Sequence, residues 1–129
     1  MAETPEKAHR ATVIIWGAMF AALGMYYLVI TMVQPDHPDL DLPLIKPLLG
    51  AAILSVTAAL VLRKRMNDTP ARVRAGYLIA FALCEAAALF GIVAHFTTGW
   101  PNVWIFFVIG AVGFALNFPQ RAEFDQPHP

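Results

Sequence analysis

Charge is what this sequence has least of. Aspartate, glutamate, lysine and arginine together make up 14% of its 129 residues, against about 25% in an ordinary soluble domain. Nine basic residues are matched by nine acidic ones. A zero net charge excludes a nucleic-acid binder working through a basic face, which needs a positive excess. It equally excludes an acidic disordered tail. Cysteine is nearly absent: Cys84 stands alone, so no disulfide forms within the chain, and the residue reads as a small packing group. A glycine-rich phosphate loop, a nucleophile elbow and a Cys-x-x-Cys pair are all missing. No polar constellation converges on a catalytic site, so the expectation is a protein that is not an enzyme and carries no cofactor.

What fills the chain is apolar: 58% hydrophobic residues and a mean hydropathy of +0.58. Residues 11–35 carry no charge, nor do residues 47–62, and residues 75–120 carry one, Glu85. A bilayer core of about 30 Å needs about 20 apolar residues in a helix. The first run fits one span. The second fits one if Lys46 snorkels at its entrance. The third is long enough for two, divided at the turn-forming residues 97–102. A soluble bundle would show a polar face on each helix, and these segments are apolar all round. The prediction is an all-α membrane protein, an up-down bundle of four transmembrane helices at about 11–33, 43–63, 73–96 and 102–118. A cytoplasmic segment, 1–10, precedes the bundle, and a flexible cytoplasmic tail, 119–129, follows it.

Orientation follows from the basic residues. Lys7, Arg10, Arg63, Lys64, Arg65, Arg72, Arg74 and Arg121 fall on one side of such a bundle, and Lys46 falls on the other, beside Asp36, Asp39 and Asp41. Both termini and the 63–74 loop are therefore expected in the cytoplasm, and the membrane is expected to be a bacterial inner membrane. Trp16 suits the inner headgroup zone, and Trp100 and Trp104 the outer one. The first span is too long for a cleaved signal peptide and has no small-x-small site before Gln34. Glu3 and Glu6 speak against a mitochondrial transit peptide. The arginine-rich loop reads as a topology determinant, with anionic headgroups as its other possible partner.

Helices associate in lipid through small residues. The third helix offers Gly76, Ala80, Cys84 and Ala88 at four-residue spacing, then Gly91; the second offers Ala51, Ser55 and Ala59; the first Gly17, Ala21 and Gly24; the fourth Gly110, Ala111, Gly113 and Ala115. These point to a compact unit surrounded by lipid, as a homo-oligomer or as a subunit of a membrane complex, with no nucleic-acid partner.

Glu85 is the most informative residue. An ionised carboxylate in mid-membrane costs about 2.5–3.5 kcal/mol on insertion scales, and the group escapes most of that by staying protonated. Such a carboxyl either takes up and releases a proton or serves as a hydrogen-bond anchor to a neighbouring helix, with Ser55 and Thr57 at matching depth as partners. His95, about three turns further on, is a candidate relay to the surface. A zinc site from Asp36, His37, Asp39 and Asp41 lacks regular ligand spacing, and the loop reads instead as solvated acids, so no metal is expected. Haem ligation lacks a second histidine in the membrane, because His9, His37 and His128 lie in aqueous segments.

The residues around the acid, Ala82-Leu83-Cys84-Glu85-Ala86-Ala87-Ala88-Leu89-Phe90-Gly91-Ile92-Val93, resemble the ion-binding helix of the c-subunit (proteolipid) of rotary ATP synthases. A polar loop with an arginine about twenty residues before the carboxylate extends the resemblance, and Arg65 stands there. The resemblance implies that Glu85 binds the translocated ion and that the second and third helices form the hairpin. It also implies a proton rather than sodium, because Ala86 follows the acid where sodium-binding members carry a hydroxyl residue. Two functions stay open: ion handling through Glu85, or a structural or accessory role in a larger membrane complex.

Overall fold

The computed structural model describes residues 4–36 and 38–125. Five helices follow one another, with no strand among the described residues: α1 (Pro5–Met32), α2 (Ile45–Arg65), α3 (Pro70–Thr98), α4 (Trp104–Leu116) and α5 (Arg121–Asp125). Local chemistry sets their ends. Thr4 and Thr69 are N-caps whose hydroxyls accept from Lys7 N at 3.3 Å and Arg72 N at 3.2 Å, and each is followed by a proline at the first helical position, where a missing N–H costs nothing. α3 stops at Gly99, which takes φ of 66°, the left-handed cap that glycine enters without strain.

Three of the helices, α1, α2 and α3, are long and apolar enough to cross a membrane. α4 is equally apolar but has 13 residues, about 20 Å of helix, short of a 30 Å hydrocarbon core. The predicted span at 102–118 is trimmed at both ends because residues 101–103 form a turn and Asn117 breaks the last one. α1 in contrast starts earlier than residue 11, since the Thr4–Pro5 cap carries the helix through the charged 6–10 stretch. The tail also differs from expectation. Residues 121–125 are helical and Phe124 is buried. Residues 126–129, expected to be disordered, lie outside the described residues, as do residues 1–3 and His37.

α3 is the centre. It packs against every other helix, whereas α1 and α2, among the described residues, make no contact with each other. The seam between α3 and α4 is built from glycines. A Cβ on Gly91 would stand 2.7 Å from Phe106 Cβ, one on Gly110 3.0 Å from the Cys84 carbonyl oxygen, and one on Gly113 2.6 Å from Cys84 Sγ. The stripe of small residues read from α3 is thus a real seam, with Ala80, Cys84 and Ala88 fully buried along it. That of α1 is not: nothing lies within 4 Å of the positions a Cβ would take on Gly17 and Gly24. α1 and α2 flank the seam and leave large apolar side chains outside, Ile14, Met25, Leu28, Ile53 and Leu54 among them. An apolar surface of this kind suits acyl chains or a partner rather than water.

The seam predicts a sharp contrast. Gly91→Leu forces α3 and α4 apart and costs about 3 kcal/mol, the upper end for overpacking, whereas Gly24→Leu is near neutral. Unfolding of the detergent-solubilised protein by SDS, followed by circular dichroism, measures both.

Candidate functional site

Glu85 lies near the middle of the 29-residue α3. Its neighbours on that helix show how it is turned. Cys84 and Ala88 are buried in the seam, Ala82 and Leu89 are exposed, and Glu85 between them is half-buried. The carboxyl therefore sits on a flank, where α3 meets α1. The side chain that approaches it from α1 is that of Tyr26.

The expected partners sit elsewhere. Thr57 is exposed and donates to Ile53 O of its own helix at 2.8 Å, facing a groove shared with Val108 and Val112 of α4. Ser55 is half-buried on the same helix and makes no side-chain hydrogen bond among the described residues. α2 matches Glu85 in depth but flanks α3 elsewhere. His95 closes the far end of α3 against α1, with Nε2 donating to Val33 O at 2.8 Å. On the Glu85 side of the helix the intervening turns present Leu89 and Ile92, so no polar side chain of α3 links the two groups. The acidic loop is organised by its backbone. Asp39 N donates to Thr97 O at 3.0 Å, and Asp39 Oδ1 accepts from Asp41 N at 3.0 Å. Among the described residues no group of three His, Cys, Asp or Glu side chains converges as metal ligands would; His37 falls outside them.

A second polar cluster was not read from the sequence as a site. At the opposite end from His95, the Arg63 side chain is 6% exposed. Its Nε donates to Asn117 Oδ1 at 2.7 Å, and its Nη1 to Glu123 Oε1 at 2.9 Å and to Tyr77 Oη at 3.2 Å. Tyr77 Oη in turn donates to Glu123 Oε2 at 2.8 Å and accepts from Gln120 N at 3.1 Å. The guanidinium carbon also stands 5.0 Å from the centre of the Tyr77 ring, within cation–π range. The cluster joins the end of α2, the start of α3, the end of α4 and α5. It also completes α4, whose last carbonyls have no partner within the helix. Arg63 Nη2 reaches Leu116 O at 3.4 Å, Trp16 Nε1 donates to Phe114 O at 2.8 Å, and Asn117 Nδ2 to Gly113 O at 2.8 Å. The sequence carried a faint signal for this: an acid, Glu123, just past the last apolar run and an arginine at the end of the second.

The chain matches no family model, no curated protein and no solved structure.

The Arg63 cluster acts as a clasp. Glu123→Ala leaves a guanidinium buried without its counter-charge and costs about 3 kcal/mol or more. The double variant Arg63→Met, Glu123→Leu costs less than the two single changes together, and a double-mutant cycle on SDS unfolding reads the coupling.

Proposed function

We propose that the chain is a non-catalytic integral membrane protein in which Glu85 binds and releases a proton. α1 to α4 all pass through the bilayer in alternating directions, with both termini in the cytoplasm of a bacterial inner membrane. The observation that carries the reading is the placement of the carboxyl: mid-helix, half-buried, on a flank open to the surroundings, with a phenol beside it. A structural acid would be enclosed and saturated with donors. This one has a neutral phenol beside it that can serve either protonation state, as donor to a carboxylate or acceptor from an acid. Intramembrane acids are functional by default, and the likeness of residues 82–93 to a c-subunit ion-binding helix supports the same role.

The approach of Tyr26 also favours a second reading, in which the chain is an accessory subunit of a larger complex and Glu85 anchors α1 to α3. Interhelical hydrogen bonds in membranes contribute about 0.6–1.7 kcal/mol, enough to serve as an anchor.

Dicyclohexylcarbodiimide, which attacks protonated carboxyls in apolar surroundings, separates the two readings. Proton binding predicts selective modification of Glu85 that falls as pH rises, is abolished in Glu85→Gln and is accelerated severalfold in Tyr26→Phe. An unreactive Glu85, with Glu85→Gln lowering stability only by the hydrogen-bond amount above, would establish the anchor instead.

A further inference from the structure

A different part of α1 carries a site of its own. At the end of the bundle where His95 meets Val33, a cavity of about 420 Å³ opens among Tyr27, Thr31, Gln34, His95, Trp100 and Trp104. Directly beside it, between α1 and α4, runs a groove of about 420 Å³ floored by Leu23, Gly24, Phe107, Val108 and Ala111. Tyr27 and Trp104 line both, so a polar cavity and an apolar groove adjoin across these two side chains as a two-part cleft. Each is of a size that holds a small molecule. The groove is open because Gly24 has no side chain and nothing lies within 4 Å of where one would begin.

We propose that this cleft binds a membrane quinone or quinol, its ring in the polar cavity and its isoprenoid tail along Gly24 and Phe107. The proposal is independent of Glu85. Three observations select this head over a phosphate-bearing one. No lysine or arginine lines the cavity. The 33–44 loop at that end carries Asp36, Asp39 and Asp41, which repel an anionic headgroup, and Lys46 lies on α2, a helix that does not touch α1. The walls are aromatic, and Tyr27, Trp100 and Trp104 offer faces and edges to a flat ring.

The hydrogen-bonding groups suit both redox forms. A carbonyl oxygen only accepts, so His95 Nε2, which bonds Val33 O, carries a hydrogen, and in the neutral ring Nδ1 is then an acceptor for a quinol hydroxyl. The Thr31 hydroxyl spends its hydrogen on Leu28 O at 2.7 Å, which leaves its oxygen as a further acceptor. Gln34 and the Trp104 indole make no side-chain hydrogen bond among the described residues, and their N–H groups are donors for the quinone oxygens.

Indole fluorescence of the full-length protein in nanodiscs, titrated with ubiquinone-2, tests this. Trp100 and Trp104 line the cavity, while Trp16 is bonded to Phe114 O at the other end and is spared. Saturable quenching is expected. Gly24→Phe, which fills the groove, and Gln34→Leu, which removes a donor at an exposed position, should each weaken it at least about tenfold while the helical spectrum is unchanged. An azido-ubiquinone should label peptides of α1 and α4 and not of α2, a readout that needs no variant. Quenching linear in quinone, identical titrations for both variants, labelling spread over α2, or displacement by an equal amount of phosphatidylglycerol would each overturn the assignment.

Discussion

The close approach of α3 to α4 is the constraint on which the rest depends. In lipid, helices gain little from hiding apolar surface from one another and associate through contact. Gly91, Gly110 and Gly113 bring the two backbones together, and Tyr77, Phe81, Phe106 and Phe114 fill the space beside them with fully buried rings. With α3 and α4 in contact, α1 and α2 take different flanks, and among the described residues their backbones do not approach each other closely. That separation produces both features of interest. Glu85 occupies the flank where α1 meets α3, and the two-part cleft lies where α1 meets α4.

The shortness of α4 creates a second requirement. The last carbonyls of a helix have no partner within it, and each one buried without a donor is costly. Trp16, Arg63 and Asn117 supply the missing donors. A buried guanidinium needs a counter-charge of its own, and Glu123 provides it at 2.9 Å. α5 is held to the bundle through that contact and through Phe124, whose ring stacks on Tyr77 with centres 5.6 Å apart. His9 adds α1 to the same end by bonding Pro119 O at 3.0 Å. Arg63 thus differs in kind from the other basic residues near it. Arg72 pairs with Asp68 in an exposed contact of the sort worth little, whereas Arg63 organises four elements.

The long helices were legible because the chain leaves long stretches without charge, and Glu85 was legible because it is one charge among 46 residues of such a stretch. Its partner was not. Depth can be counted along a helix, and by depth Ser55 and Thr57 were reasonable. Rotation about the axis is normally read from a polar stripe, and helices apolar all round have none. The structure turns Glu85 toward α1, and the tyrosine that meets it looks in the sequence like any interfacial aromatic. Arg63 was illegible for a related reason. It stands in a run with Lys64 and Arg65, and its burial depends on a chain end 60 residues away folding back. The glycines illustrate both outcomes: the α3 and α4 stripes predicted a seam that exists, and the α1 stripe, identical in kind, faces open space.

That open face gives α1 its character. Polar bonds fasten it at the two ends, through His9 and Trp16 at one and through Val33 at the other. Between them Tyr26 approaches Glu85 of α3, and the next residue, Tyr27, turns by about 100° to meet Phe107 of α4 with ring centres 5.2 Å apart. Adjacent residues of one helix therefore face the acid and the cleft.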